Sequence, residues 1–290
     1  MQSEDKYIHF IINPNSGIKS KLTLIDLIEA EVRDDFKVRT TLTLRPEHAT
    51  EIAQEAIENG ADAVVAVGGD GSVNEVGKAL IGTDVALGVI PIGSGNGFAR
   101  HLKIPLQEKE AIRTINAFRT RQIDTATING KPFLATAGLG FDAQVGWNFA
   151  NHGSRGFLSY IQVTTNAFFK FKPETYHLII DGEEIETKAF LINFANAGQY
   201  GNNAWISPSA SISDGMLNIC ILDSFPPQFA PEILFKLFNK TIENSKYYHF
   251  VKGKEIIVRK PEIYHMDGEP RSAEEDLLIK VAPKSLKVIY

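Results

Sequence analysis

The sequence predicts an α/β N-terminal domain built on a parallel sheet, followed by a mainly antiparallel β-sandwich C-terminal domain. Up to about residue 120, short apolar runs alternate with helical patterns, the signature of a parallel sheet covered by helices. Beyond it, β patterns follow one another around Asn129-Gly130 and Asp181-Gly182, both strong hairpin signals. Three glycine-containing loops, after the first, third and fourth strands, should gather at the carboxyl edge of the sheet, where ligands of such folds collect.

The first unit is an apolar run over residues 7–12, stopped by the turn cluster Asn13-Pro14-Asn15-Ser16-Gly17, then a helical pattern carrying Leu22, Ile25, Leu27 and Ile28. The second is a strand over 37–44 and a helix over 46–59, with Pro46 at its start and Gly60 just past its end. The third, from Ala63, breaks at Gly68-Gly69-Asp70-Gly71 and passes straight into a helix. The fourth is a strand over 85–90, the loop Pro91-Ile92-Gly93-Ser94-Gly95-Asn96-Gly97, and a helix through Phe98, Ala99 and Leu102. A helix over 107–119 closes the series. The β patterns then cover 123–128, 131–136, 177–180, 185–192, 216–222, 247–258, 262–266 and 277–289. Helical patterns over 155–171 and 228–239 interrupt them. The expected domains are 1–122 with 284–290, and 123–283.

The third unit carries the clearest chemistry. A loop that wraps its backbone around phosphates needs glycine's conformational freedom, and its amide N–H groups, with the following helix N-terminus, make an anion site. A carboxylate beside a phosphate is repulsive unless a cation intervenes, so Asp70 is expected to serve Mg²⁺, the bland alternative being an Asp-Gly turn. Ser72 and Glu75 have the spacing of a capping box, which would start the helix at Ser72; Glu75 has a functional reading beside it.

Composition narrows the function classes. The chain has 290 residues, 43% hydrophobic and 22% charged, as in an ordinary soluble protein, and its net charge of −5 argues against a nucleic-acid partner. The single cysteine, Cys220, excludes an intrachain disulfide and CxxC-type metal sites and fits a reducing compartment. The N-terminus lacks the basic start of a signal peptide, and nothing approaches the ~20 apolar residues of a membrane span. A cytoplasmic protein is expected.

With these loops in order, the sequence resembles the diacylglycerol-kinase catalytic-domain family, and within it the soluble bacterial lipid kinases. The residues that carry the likeness are 13–17, Gly68-Gly-Asp-Gly-Ser-Val-Asn-Glu75, Pro91 to Arg100, Ser213-Asp214-Gly215 and His265-Met-Asp-Gly-Glu269. The resemblance implies a first domain similar to those of NAD kinases and phosphofructokinases, to which the last strand returns. It also implies an ATP-dependent kinase that phosphorylates a lipid alcohol, diacylglycerol foremost.

By position, the nucleotide contacts would be Asn13, Pro14, Asn15, Ser16, Gly17, Thr43, Gly69, Asp70, Gly71, Ser72, Val73, Asn74, Glu75 and Ser94. Asp70 would organise the catalytic Mg²⁺, with Asp124 extending its water network. Asp214, with the backbone carbonyls of Ser211 and Met216, would hold a structural Mg²⁺, although the residues alone favour a plain turn there. Glu269 would accept the proton of the lipid hydroxyl. Asp181-Gly182-Glu183 repeats the same tripeptide in a hairpin, so the tripeptide by itself identifies nothing.

Many members have Asn-Asp-Phe where this chain has Asn96-Gly97-Phe98, and Gly93-Ser-Gly-Asn96 resembles the corresponding loop of sphingosine kinases, so a sphingoid base or another glycerolipid stays open as acceptor. More distant alternatives are an NAD kinase and a non-catalytic ATP-binding regulator. A dinucleotide oxidoreductase is disfavoured, because Asn13-Pro14 stands where a Gly-x-Gly-x-x-Gly would begin. Aromatics beside lysines at 168–172 and 225–238 are either core or a transient contact with a membrane surface holding the lipid. A homodimer through an edge strand is a further possibility.

Overall fold

The computed structural model describes residues 5–17, 21–150, 164 and 166–290. It divides into two compact units: Met1–Asp124 with Gly201–Asn203 and Pro283–Tyr290, and Thr125–Tyr200 with Ala204–Ala282.

In the first unit β1 (Lys6–Ile12), α1 (Lys21–Glu31), β2 (Phe36–Leu42), α2 (His48–Glu58), β3 (Ala63–Gly68), α3 (Asp70–Leu80), β4 (Ala86–Pro91), α4 (Gly97–His101) and α5 (Glu108–Ala117) follow in order. The strands lie β4-β3-β1-β2, all parallel, with Ile12 level with Val67 and Leu42, and Gly68 level with Pro91. Level strand ends bring the loops that follow them to one edge. β3 and β4 are buried at every residue, which is why they are continuous apolar runs rather than alternating ones. Helix α2 presents Ala49, Ile52, Ala53 and Ala56 to the sheet at helical spacing and stops before Gly60, whose φ is +76°. A Cβ on Gly88 would lie 2.7 Å from Ile115 and 2.9 Å from Val65, so this glycine lets α5 lie close on β4.

The second unit is antiparallel. The strand β5 (Thr120–Ile128) turns through Asn129-Gly130, at φ +48° and +77°, into β6 (Lys131–Phe133), the two left-handed residues that a tight hairpin demands. There follow β7 (Thr136–Gly140), α6 (Phe141–Ala150), β8 (Glu174–Ile180), β9 (Glu183–Ala195), the short β10 (Gln199–Gly201) and β11 (Ala204–Trp205), and β12 (Leu217–Asp223). Then come α7 (Ala230–Phe238), β13 (Tyr248–Gly253), β14 (Glu255–Val258), β15 (Ile263–Met266), β16 (Glu269–Ser272) and β17 (Leu277–Ile289). The main path is β16-β15-β7-β9-β8-β14-β17, and β12 lies between β9 and β13.

Alternation along β12 explains two separate cores. Ile219 and Ile221 face a cluster with Phe133, Leu139, Phe194 and Ile279, while Cys220 and Leu222 face another with Phe190, Ile206, Ile233 and Tyr248.

Three expectations change. The single strand over 247–258 is two, β13 and β14, pairing with different neighbours; the break falls at Lys254, whose N–H donates to the Asp181 carboxylate. The helix over 228–239 begins as a 3₁₀ turn, Pro227–Phe229, where Pro226 and Pro227 delay the α-helix. Of the helix expected over 155–171, residues 164 and 166–170 are helical; 155–163 and 165 lie outside the described residues.

Candidate functional site

Two glycine loops of the first unit touch backbone to backbone. A Cβ on Gly93 would stand 2.5 Å from the Cα of Gly69, so neither loop leaves room for a side chain at the crossing. Gly69 is the N-cap of α3, in extended conformation, and α3 begins at Asp70 itself. The Asp70 Oδ1 accepts the Phe98 N–H at 3.2 Å, and its Oδ2 faces Gly95, where a Cβ would come within 2.9 Å. One carboxylate therefore spans both loops.

The first loop packs beside them. Asn13 donates through its backbone N–H to the Val67 carbonyl at 3.0 Å and through Nδ2 to the Ser72 hydroxyl at 3.2 Å. Its Oδ1 accepts the Asn15 N–H, and its carbonyl accepts the Ser16 N–H, which folds Pro14 into the turn. Gly17 closes that turn at φ +73° against the Ile92 carbonyl, and Thr43 continues β2 by donating to Ile12. Ser16, Gly17, Gly93, Ser94, Asn96 and Arg100 line part of a cavity of about 300 Å³.

The capping box is not formed. Ser72 is buried in the first turn of α3, where its hydroxyl occupies the space a Cβ on Gly68 would need. Glu75 caps a different helix: its Oε2 accepts the Ala49 N–H at the start of α2, and its carbonyl accepts the Thr50 hydroxyl. Val73 and Asn74 are buried and Gly71 is exposed. Asp124 is buried in the same unit, where its Oδ1 accepts the Lys284 N–H at 2.8 Å, fixing β5 to the last part of β17.

Two features escaped the sequence reading. Arg100 lines the cavity, with its Nε donating to the Gly95 carbonyl at 3.1 Å, so a cation stands where phosphate oxygens would need one. Asn96 sits in the left-handed region at φ +48°, its Nδ2 donating to Gly93, while its buried Oδ1 has no hydrogen-bond partner among the described residues. The adjacent signal was the basic residue four positions after Asn96, on the first turns of α4.

A divalent cation fits this setting in chemical kind: Asp70 supplies a hard oxygen beside the glycine loops, and bound phosphates and water would complete the shell. Ser211, Asp214 and Met216 form a different arrangement. Asp214 Oδ1 accepts the Met216 N–H at 3.1 Å, and Oδ2 pairs with the Lys252 ammonium at 2.6 Å, so a cation there would compete with lysine. Among the described residues no group of three His, Cys, Asp or Glu side chains is poised for a metal.

Glu269 opens β16 opposite Met266, exposed, with its Oε2 accepting from Arg271 at 3.0 Å. Asp214 precedes β12, and β15, β7 and β9 separate that strand from β16, so these two acidic residues do not share a site. No helix of the described residues is long and apolar enough to cross a membrane.

The profile of the diacylglycerol kinase catalytic domain matches residues 7–128, and that of the YegS C-terminal NAD kinase beta sandwich-like domain matches 135–290. A Mycobacterium tuberculosis protein named diacylglycerol kinase is 35% identical over 185 residues, 61% of this chain and 60% of that protein. A Salmonella arizonae protein named "Probable lipid kinase YegS" is 27% identical across 94% of this chain and 91% of its own. The crystal structure of a Bacillus anthracis diacylglycerol kinase superposes with a TM-score of 0.75 at 24% identity, covering 99% of this chain and 97% of that one, a likeness of fold.

Proposed function

The chain belongs to the diacylglycerol kinase catalytic-domain family, and from this premise we propose that it is an ATP-dependent lipid kinase, with diacylglycerol as the first-choice acceptor. The observation that supports it most is the crossing of Gly69 and Gly93 with Asp70 spanning both loops. Bare backbone at a helix N-terminus is what a triphosphate requires.

The lipid hydroxyl oxygen attacks the γ-phosphorus, the bond to the β,γ-bridging oxygen breaks, ADP leaves, and Glu269 takes the hydroxyl proton. Loop amides and Arg100 hold phosphate oxygens. Mg²⁺, held through Asp70 with Asp124 supporting its water network, supplies charge neutralisation on the phosphates when bound. Gly97 is buried and supplies no carboxylate of its own where many members of the family have an aspartate, which keeps a sphingoid base as the second acceptor to test.

The lipid is met at a bilayer surface through α7. Ile233 and Leu237 face inward, while Leu234, Phe235 and Phe238 are exposed on the other side. Lys240 and Lys246 stack on the rings of Trp205, Phe229 and Tyr247 around it, as cations and aromatics do at an interface.

The deciding experiment incubates the protein with γ-labelled ATP, Mg²⁺ and a total lipid extract, with Asp70→Asn alongside. A labelled lipid absent from the variant is expected, and its chromatographic mobility separates phosphatidic acid from a sphingoid phosphate. ATP binding without any labelled lipid would overturn the proposal.

A further inference from the structure

The tripeptide Asp-Gly-Glu occurs twice in the second unit, and both copies fold alike. Asp181-Gly182 and Asp267-Gly268 are the two left-handed residues of tight hairpins, at φ +49° and +94°, and at +50° and +85°. Each glutamate begins the returning strand. Each aspartate turns its carboxylate onto backbone amides of a neighbouring segment. Asp181 accepts from Lys254 and Glu255; Asp267 accepts from Leu134 at 3.0 Å, Ala135 at 2.8 Å and Thr136 at 3.2 Å.

The copies differ in how firmly the receiving segment is held. Residues 134–136 are gripped from the end of β9: Asn196 Nδ2 donates to the Leu134 carbonyl at 2.7 Å, and Asn196 and Ala197 both donate from their backbone to Ala135. The Asp267 N–H returns a bond to the Thr136 carbonyl at 2.7 Å. Two residues before Asp267, His265 Nε2 donates to Asp142 Oδ2 at 3.1 Å, in the space left by Gly138, where a Cβ would stand 2.5 Å from that oxygen. Asp142 is fixed in turn by the Ala143 N–H and the Tyr200 hydroxyl. The turn before Glu269 is thus clamped on two sides.

We propose that Asp267 is a positioning residue: its carboxylate clamps the β15–β16 turn to residues 134–136 and so aims Glu269. The proposal rests on Glu269 as proton acceptor. Asp181 performs the same mechanical task without a reaction to serve, which makes it an internal control.

The test compares Asp267→Ala, Asp267→Asn, Asp181→Ala and Glu269→Gln with the unaltered protein, in lipid phosphorylation kinetics and thermal unfolding. Both alanine variants should melt earlier. Only Asp267→Ala should lose kcat, by about 10²-fold if Glu269 moves by roughly 1 Å. Its KM for ATP should stay unchanged. Asp267→Asn, whose amide oxygen still accepts, should recover much of that loss and serves if the alanine variant does not fold. Wild-type kcat in Asp267→Ala, or equal losses in Asp181→Ala, with Glu269→Gln inactive, overturns the positioning role alone. Wild-type kcat in Glu269→Gln overturns the proton-acceptor reading and the proposal with it.

Discussion

Replacing Phe235 by serine tests where the protein meets its substrate. Phe235 is 66% exposed on α7, between Leu234 and Phe238. Burying a whole side chain of this size is worth about 1.5–3 kcal/mol, so the exposed two-thirds leaves about 1–2 kcal/mol to be gained on entering an interface. At 1.4 kcal/mol per tenfold, Phe235→Ser should weaken partitioning onto vesicles by roughly 5- to 30-fold. The inward contacts of Ile233 and Leu237 are untouched, so thermal stability should move by no more than about 0.5 kcal/mol. Co-sedimentation with phosphatidylglycerol-containing vesicles, across vesicle concentration, measures the change. Unchanged partitioning would refute the reasoning. Loss of a concentration-dependent dimer in sedimentation would instead give this face to a second copy of the chain.

Other perturbations follow from the same geometry. Gly93→Ala forces a methyl against the Gly69 backbone; overpacking of this kind costs about 1–3 kcal/mol, and calorimetry should show weaker ATP binding as the loops part. His9 is buried, with Nε2 bonded to the Thr41 hydroxyl, and burial, followed by Arg39, lowers its pKa from 6.5 to about 4. The unfolded chain takes up a proton that folded His9 refuses, so this contribution to stability is full above pH 6.5 and is lost as pH falls towards 4. Urea midpoints at pH 7 and 5 should differ, and less so in His9→Gln. Burial pushes the Cys220 thiol up to about 12, so a thiol reagent should label it only on unfolding; rapid labelling of the native protein would contradict its place in the core.

What was legible in the sequence was local. The strand, glycine loop and helix of 63–80, and the Asn129-Gly130 and Asp181-Gly182 hairpins, are decided by nearby residues, and the structure forms them all, with the helix starting at Asp70 rather than at Ser72. What escaped was contact between distant positions. Glu75 has capping-box spacing, yet its carboxylate serves Ala49, because α2 and α3 pack side by side and the orphan donors of α2 are within reach. The division of 248–258 into two strands depends on Asp181, more than seventy residues earlier, and periodicity carries no trace of it. The two loops around Gly69 and Gly93 were visible as glycine-rich, but their close approach follows only from the level register of β3 and β4. Arg100 was likewise in view as part of a motif, without the cavity that gives it a task.

The strand β17 lends residues up to 282 to the second unit and those from 283 to the first, where Leu286, Val288 and Ile289 are buried and Val288 lies beside Leu87 on β4. During synthesis, therefore, the ribosome delivers most of the first unit long before the piece that completes it. Until residues 283–290 emerge, β4 keeps an open edge and Asp124 lacks the Lys284 amide. The two units mature in the reverse of the order in which they are begun: the second can pack as its strands arrive, whereas the first closes around residues 283–290. A nascent chain stalled before residue 283 should accordingly be more sensitive to protease in its first 124 residues than the released protein.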